Sequence, residues 1–171
     1  MPILGITGGI ATGKSTFLKL LLARVEAGFF DTDACARDLL NHNEKVREAI
    51  RQQIHPHAYD GEGNPDRAFI RELVYKNPAH KLTLESILHP EIRARWVEET
   101  KLAREAKRLY IVDIPLLFET KAEAFFDHIV VIACSHSQQL TRLAVRGLSA
   151  EISEKIIASQ MPIEVKIKAA H

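Results

Sequence analysis

The chain has 171 residues, of which 46% are hydrophobic and 26% charged, and its formal net charge is +1. A chain of this length can bury a core without disulfides, and its balanced charge excludes the broad basic surface of a nucleic-acid-binding protein. No apolar run approaches the roughly 18 residues of a membrane span, and the N-terminus MPILGITGG lacks the charged region of a signal peptide.

Short apolar segments that read as strands alternate with segments of helical spacing. Strands are predicted at residues 2–7, 28–33, 109–115 and 128–134. Helices are predicted at residues 14–27, 33–41, 44–54, 66–76, 77–88, 90–108, 135–147, 149–160 and 162–171. Gly28 is the expected C-cap of the first helix, and Asp66 and Asn77 are expected N-caps. The alternation predicts a parallel α/β sheet that carries a large helical insert, at about residues 34–108.

Residues 8–16, GGIATGKST, match the pattern of a phosphate-binding loop, Gly-x4-Gly-Lys-Ser. A chance match is the alternative, but a predicted strand before the loop and a helix after it favour phosphate binding. Lys14 would reach the β and γ phosphates of a nucleotide, and the Ser15 hydroxyl would bind Mg²⁺. The full set expected to hold the nucleotide from this loop is Gly8, Gly9, Ala11, Thr12, Gly13, Lys14, Ser15 and Thr16.

The Asp-Thr-Asp segment at residues 31–33 is the first indication of a phosphate acceptor. On an extended strand end, Asp31 and Asp33 would point the same way, into the ligand crevice of the sheet. Asp33 is the expected general base, since a carboxylate can take the proton of an acceptor hydroxyl. For Asp31, a helix cap or a metal ligand is the favoured interpretation.

Two further features would act on the phosphates. Asp113 follows four apolar residues at the end of a predicted strand, which is the pattern of an Mg²⁺-binding aspartate. Arg142 and Arg146 are four apart on one predicted helix face and suit phosphate oxygens, although a solvated surface face fits them equally well.

Several segments together resemble the dephospho-CoA kinase family. They cover nearly the whole chain in order: GITGGIATGKST, FFDTDACARDLL, DGEGNPDRAFIRELVYKNPAHKLTLESILHPEI, IVDIPLLFE and QQLTRLAVRGLSAEISEKIIASQMPIEVK. The phosphate loop is common to many kinases, whereas the later segments are specific to this family. The resemblance implies a P-loop fold like that of nucleoside-monophosphate kinases, with three α/β/α layers, a core at about residues 1–33 and 109–134, and a helical lid at about 135–165.

The activity implied by the resemblance is transfer of the γ-phosphoryl of ATP to the 3′-hydroxyl of dephospho-CoA, the last step of CoA biosynthesis. Asp33, Lys14 and Arg142 would be catalytic, and Arg142 and Arg146 would close over ATP with the lid. The acceptor would contact Asp33 and further residues of the insert and the crevice floor, namely Arg67, His89, Pro90, Leu116, Leu117 and Glu119.

The chain also departs from the family pattern. Ile156 stands where a second lid arginine is common, and His171 stands where the family has an aspartate before a further strand, a loop and a last helix. The alternatives are another small-molecule or nucleoside-monophosphate kinase and a nucleotide-binding protein without transfer activity. With only two cysteines, Cys35 and Cys134, we expect a cytoplasmic protein, and a monomer is the default expectation.

Overall fold

The structure is a computed structural model that describes residues 1–170, so His171 lies outside the described residues. The strands of its sheet, in chain order, are β1 (Ile3–Gly8), β2 (Gly28–Asp31), β3 (Tyr110–Asp113) and β4 (His128–Ile132). They lie in the order β2-β3-β1-β4, and β1 is parallel to both β3 and β4. The predicted parallel α/β fold is therefore confirmed, and each of the four predicted strands is present, although β2 ends at Asp31 rather than at residue 33.

The helices account for most of the remaining chain. In order they are α1 (Lys14–Leu22), α2 (Thr32–His42), α3 (Glu44–Gln53), α4 (Arg67–Lys76), α5 (Pro78–Glu105), α6 (His136–Val145), α7 (Ala150–Ala158) and α8 (Ile163–Ala169). The expected N-cap Asp66 accepts a hydrogen bond from the Phe69 N–H at 2.9 Å. The side chain of Asn77 accepts one from the Ala79 N–H, also at 2.9 Å. These short polar side chains satisfy backbone donors that a helix start leaves without partners.

The position of β1 brings the two chemical motifs of the core to one edge of the sheet. In the parallel register Ile6 lies beside Asp113, the last residue of β3. The phosphate loop begins where β1 ends, at Gly8. Parallel strands expose their carboxyl ends at the same edge, which is where ligands bind in open α/β sheets.

Apolar packing fixes α1 against this sheet. Ile6 and Ile111 are fully buried and Leu18 nearly so, and they form one cluster. The partly buried hydrophobic residues around them include Phe17, Leu21 and Val25 of the chain that follows the phosphate loop. Burial of a Leu or Ile side chain contributes about 1.5–3 kcal/mol, so this cluster holds the start of α1 at the end of β1.

The first helix is shorter than predicted, and Gly28 does not cap it. Helix α1 ends at Leu22 with Ala23 as its C-cap, and Gly28 is instead the first residue of β2. A Cβ atom at position 28 would lie 2.3 Å from Cδ2 of Tyr110. The Tyr110 ring cannot easily move, since it is 7% exposed and its hydroxyl donates to Glu99.

We expect Gly28→Ala to lower the free energy of unfolding by about 1–3 kcal/mol, because the added methyl group overpacks the site beside Tyr110. The matched control is Gly61→Ala, where a Cβ atom would meet nothing within 4 Å. Urea denaturation of both variants tests the prediction. Equal midpoints for the two variants would contradict it.

The two helices predicted at 77–88 and 90–108 form one helix, α5, with Pro90 in its interior. Proline has no N–H to donate to the carbonyl four residues before it and normally interrupts a helix. Here Leu88 and Trp96, eight residues apart on one face, are both buried. Their burial provides a physical reason for the helix to continue through Pro90.

The chain divides into two compact units. Among the described residues, one combines Met1–Phe30 with residues 99–170, and the other is Asp31–Glu98. The second unit is helical and is crossed by ion pairs, including Arg95 to Asp38 at 2.6 Å and Lys45 to Glu91 at 2.8 Å. Of the helices described in residues 1–170, none is both long and apolar enough to cross a membrane.

Candidate active site

The phosphate loop has the backbone geometry that its glycines predict. Gly13 has φ 101°, in the left-handed region where a side chain is strained. A Cβ atom at Gly8 would lie 2.4 Å from the Ile132 carbonyl oxygen of β4, so a side chain there would clash with backbone. Ala11 is also left-handed, with φ 58°. A left-handed residue beside a right-handed one turns successive N–H groups toward the same side, which builds the concave nest that binds anions.

Side chains from the C-terminal part of the chain brace this loop. Gln139 Nε2 donates to the Ile10 carbonyl at 2.7 Å, and Gln160 Oε1 accepts from the Ile10 N–H at 2.9 Å. Arg142 Nη1 donates to the Ala11 carbonyl at 3.0 Å. The backbone of the loop is thus bonded to side chains from α6 and from the link between α7 and α8.

Lys14 and Asp113 form an ion pair at the carboxyl edge of the sheet. Lys14 Nζ donates to Asp113 Oδ1, and the two side chains are 13% and 11% exposed. The structure therefore brings together the predicted phosphate-binding cation and the predicted metal-binding carboxylate. A cation and a carboxylate side by side suit a ligand that carries both negative phosphates and a divalent metal.

The residues at this edge fit Mg²⁺ bound together with phosphates rather than a closed metal site. Within residues 1–170 no group of three His, Cys, Asp or Glu side chains could hold a metal ion. Mg²⁺ in nucleotide sites takes one or two protein oxygens and completes its shell with phosphate and water. The exposed Ser15 hydroxyl and the Asp113 carboxylate are oxygen donors of this kind, and their binding of Mg²⁺ stays a prediction.

The extended geometry predicted for the Asp-Thr-Asp segment is wrong. Strand β2 ends at Asp31 and helix α2 begins at Thr32, so Asp33 lies in the first turn of a helix. Asp31 is the N-cap of α2 and accepts from the Ala34 N–H at 2.9 Å, which confirms the expected capping. Asp33 is exposed, and its role as a base stays a prediction.

The two lid arginines occupy different positions. Arg142 lies in the last turn of α6, where its guanidinium reaches the phosphate loop. Arg146, four residues further on, is the C-cap of that helix, and both arginines are exposed, which agrees with the predicted spacing on one helix face. Their contact with ATP stays a prediction.

Leu117 and Glu119 have structural partners in the first compact unit, which also contains β1 and β3. Leu117 is fully buried, and its Cδ1 lies 2.7 Å from where a Cβ atom of Gly5 would be. Glu119 Oε1 accepts from the Met161 N–H at 3.1 Å and pairs with Lys166 Nζ at 2.9 Å. Leu116 is partly buried. Contact of these three residues with the acceptor stays a prediction.

Lys166 is fully buried, which is rare for a lysine. Besides Glu119, its ammonium donates to the Pro115 carbonyl at 3.1 Å, and Thr7 Oγ1 donates to the same carbonyl at 3.0 Å. Lys166 therefore ties α8 to the segment that follows β3, and Thr7 joins β1 to the same Pro115 carbonyl.

We expect Lys166→Met to lower the free energy of unfolding by about 2–3 kcal/mol, because Glu119 loses its cation in a mostly buried site. The value lies below that of a fully buried pair because the Glu119 side chain is 24% exposed. The control is Lys168→Met, an exposed lysine of the same helix. Thermal and urea unfolding should show a larger loss of stability for Lys166→Met than for Lys168→Met. Equal losses of stability would show that the ion pair of Lys166 with Glu119 contributes nothing specific.

The insert residues predicted to bind the acceptor lie in the second compact unit. Arg67 begins α4, is exposed, and its Nη2 donates to Asn41 Oδ1 at 3.0 Å. His89 is half-buried and Pro90 exposed, in the middle of α5. Their binding role stays a prediction.

Sequence reasoning missed Gln139, Gln160 and Lys166. Gln139 precedes the buried Leu143 by four residues, so its position on the buried face of α6 could have been inferred from helical spacing. Gln160 lies in a short link, where no periodic signal marks it. Lys166 looks like a surface residue of an amphipathic segment, since lysines are almost never fully buried.

Comparison with known proteins identifies relatives of the whole chain. The family model described as dephospho-CoA kinase matches residues 2–171. The dephospho-CoA kinase of Fusobacterium nucleatum is 37% identical over 98% of this chain and 86% of its own length. That of Bdellovibrio bacteriovorus is 36% identical over 99% of this chain and 85% of its own.

Solved structures agree with the fold. A dephospho-CoA kinase from Campylobacter jejuni superposes with a TM-score of 0.73 at 30% identity, over 99% of this chain and 85% of that one. The protein TT1252 from Thermus thermophilus superposes with a TM-score of 0.78 at 35% identity, over 98% of this chain and 84% of that one. With a family model that spans nearly every residue and relatives above 30% identity, this chain belongs to the dephospho-CoA kinase family.

Proposed function

We propose that this chain transfers the γ-phosphoryl group of ATP to the 3′-hydroxyl of the ribose in dephospho-CoA, giving CoA and ADP. The observation that carries the proposal is the match of residues 2–171 to the family, joined to a phosphate loop with left-handed Ala11 and Gly13. The reaction is a phosphotransfer to an alcohol, so the chain has to position donor and acceptor and to stabilise charge.

On the donor side, the N–H groups of the loop and of the first turn of α1 would bind the phosphate oxygens. A helix N-terminus adds its positive dipole end to this nest. Lys14 would lie between the β and γ phosphates, where its charge is matched most strongly to the transferring group. Ser15 and Asp113 would hold Mg²⁺, which when bound neutralises charge on the phosphate oxygens.

On the acceptor side, Asp33 would take the proton of the 3′-hydroxyl as the new P–O bond forms. Its exposed position in the first turn of α2 leaves the carboxylate open to a substrate, whereas Asp31 is engaged as the helix cap. Arg67, His89 and Pro90 of the insert would bind dephospho-CoA. An arginine suits the pyrophosphate of this substrate because its planar fork matches phosphate oxygens.

The lid would contribute Arg142 and Arg146. Cations near the γ-phosphate stabilise the transition state, and closure over the nucleotide excludes water that would otherwise hydrolyse ATP. The contact of Arg142 with the Ala11 carbonyl supports this role, since it brings a guanidinium to the phosphate loop.

The test is a phosphotransfer assay of the purified chain with ATP and Mg²⁺. Dephospho-CoA is offered alongside AMP, shikimate and nucleosides, and the products are resolved by chromatography and mass. Formation of CoA, dependent on Mg²⁺, is the expected result. Turnover only with one of the other acceptors would establish a different kinase, and ATP binding without any turnover would indicate a nucleotide-binding protein.

We place the reaction in the cytoplasm and take the chain as a monomer. Across residues 1–170 neither Cys35 nor Cys134 forms a disulfide, which suits a reducing compartment. Light scattering after gel filtration measures the oligomeric state directly.

A further inference from the structure

Both polar backbone groups of one loop residue, Ile10, are bound by glutamine side chains from two different elements. The Gln139 carboxamide, from α6, donates through Nε2 to the Ile10 carbonyl at 2.7 Å. The Gln160 carboxamide, from the link after α7, accepts through Oε1 from the Ile10 N–H at 2.9 Å. Gln139 is 4% exposed, so this contact is largely shielded from water.

Gly9 allows the two carboxamides to converge. A Cβ atom at Gly9 would lie 3.0 Å from Gln139 Nε2 and 3.7 Å from Gln160 Oε1. The phosphate-loop pattern requires Gly8 and Gly13 but no glycine at position 9. A side chain at this position would press on the Gln139 amide. This contact explains why a glycine at position 9 suits the chain although the phosphate-loop pattern does not require one.

The contacts of Gln139 and its neighbours also bear on which way the carbonyl groups of the loop point. An anion nest works only if N–H groups face the phosphates and carbonyl oxygens do not, because an inward carbonyl repels the anion. Gln139 donates to the Ile10 carbonyl. The next carbonyl of the loop belongs to left-handed Ala11, and it accepts from Arg142 at 3.0 Å and from Cys134 Sγ at 3.9 Å. Successive carbonyls at the middle of the loop are therefore bound by donors of the chain itself.

We propose that Gln139 and Gln160 are positioning residues that clamp Ile10 and hold the phosphate loop in its anion-binding shape before the nucleotide arrives. A loop already ordered loses less conformational entropy on binding, and the gain appears as affinity for the nucleotide. The inference rests on the proposed binding of ATP by this loop but not on the identity of the acceptor.

The first measurement uses Gln139→Met and Gln160→Met, which keep side-chain length and remove the hydrogen bonds. Each is expected to raise the Kd for ATP about tenfold, the loss of roughly one buried hydrogen bond. The KM for dephospho-CoA should change less than twofold. The control is Gln138→Met, an exposed neighbour whose Oε1 accepts the Ser135 N–H of the helix cap at 3.3 Å. Its Kd for ATP should stay within twofold of wild type.

The second measurement separates a clamp from general support of the fold. Glutamate at position 160 keeps the acceptor that Ile10 N–H needs, whereas glutamate at position 139 replaces a donor with lone pairs that face a carbonyl. Both substitutions add the same charge, so Gln139→Glu should weaken ATP binding about tenfold more than Gln160→Glu does. Because Gln139 is 4% exposed and Gln160 is only partly buried, a purely structural role would produce the same asymmetry in stability, so the difference in ATP affinity is compared with the difference in thermal unfolding.

ATP binding is measured by calorimetry without acceptor, on variants shown by thermal unfolding to be folded. The clamp is refuted if both methionine variants bind ATP like wild type, or if Gln160→Glu loses as much affinity as Gln139→Glu. It is also refuted if loss of affinity merely follows loss of stability across the set, Gln138→Met included. If the wild type binds ATP but does not phosphorylate dephospho-CoA, the proposed function fails while the clamp is still judged by the same binding data.

Discussion

Replacing Asp33 by asparagine is expected to lower kcat for transfer to dephospho-CoA by about 10²- to 10⁴-fold, the range of a lost general base. Asparagine keeps the shape of the side chain and one of its acceptor oxygens but cannot take a proton. The Kd for ATP should change little, since the loop that would bind the phosphates is not altered. Steady-state kinetics with both substrates, together with calorimetry for ATP, measure the two effects separately.

The control for this variant is Asp31→Asn. Asp31 caps α2 by accepting the Ala34 N–H, and asparagine caps helices about as well as aspartate. The ion pair of Asp31 with Arg37 is long, at 3.9 Å, and exposed, so its loss should cost little. Near-normal transfer by Asp31→Asn beside a strong loss in Asp33→Asn would assign the base. Unchanged transfer by Asp33→Asn would refute the assignment.

The strands and the phosphate loop could be predicted because their signals are local. An apolar run that ends in Gly8 and is followed by Gly13 and Lys14 fixes a strand, a turn and a helix start without reference to the rest of the chain. The position of Asp113 also followed from local pattern, and the structure pairs it with Lys14 across 99 positions of sequence. The pairing itself could be expected only from the rule that parallel strands present their ends at one edge.

Other features depended on tertiary context. Helix α5 continues through Pro90 with Leu88 and Trp96 buried on either side of it, and local propensity does not report such burial. The geometry of Asp33 changed because α2 begins at Thr32, and helix boundaries are uncertain by one or two residues. The Gln139 and Gln160 contacts join residues more than a hundred positions apart, and a polar side chain carries no periodic signal of its partner.

Replacing Lys14 by alanine should lower kcat/KM for ATP by about 10²- to 10³-fold, the loss found when one charge-stabilising donor is removed from a transition state. The variant should remain folded, because the cluster of Ile6, Leu18 and Ile111 that anchors α1 is not altered. Its free energy of unfolding should still fall, because the Asp113 side chain, 11% exposed, loses its cation. Lys19→Ala is the matched control, an exposed lysine of the same helix. Kinetics and thermal unfolding of both variants provide the measurement.

Lys14→Ala and Asp33→Asn are expected to differ in ATP binding although both lose phosphoryl transfer, and this difference tests the proposed reaction. Lys14 would hold the donor, so its loss should weaken ATP binding as well as transfer; Asp33 would act on the acceptor, so its loss should spare ATP binding. A protein that only binds nucleotide would respond to the first substitution and not to the second. If neither ATP binding nor transfer changes in Lys14→Ala, the phosphate-loop interpretation is overturned, because no other cation is assigned to the β and γ phosphates by the loop itself.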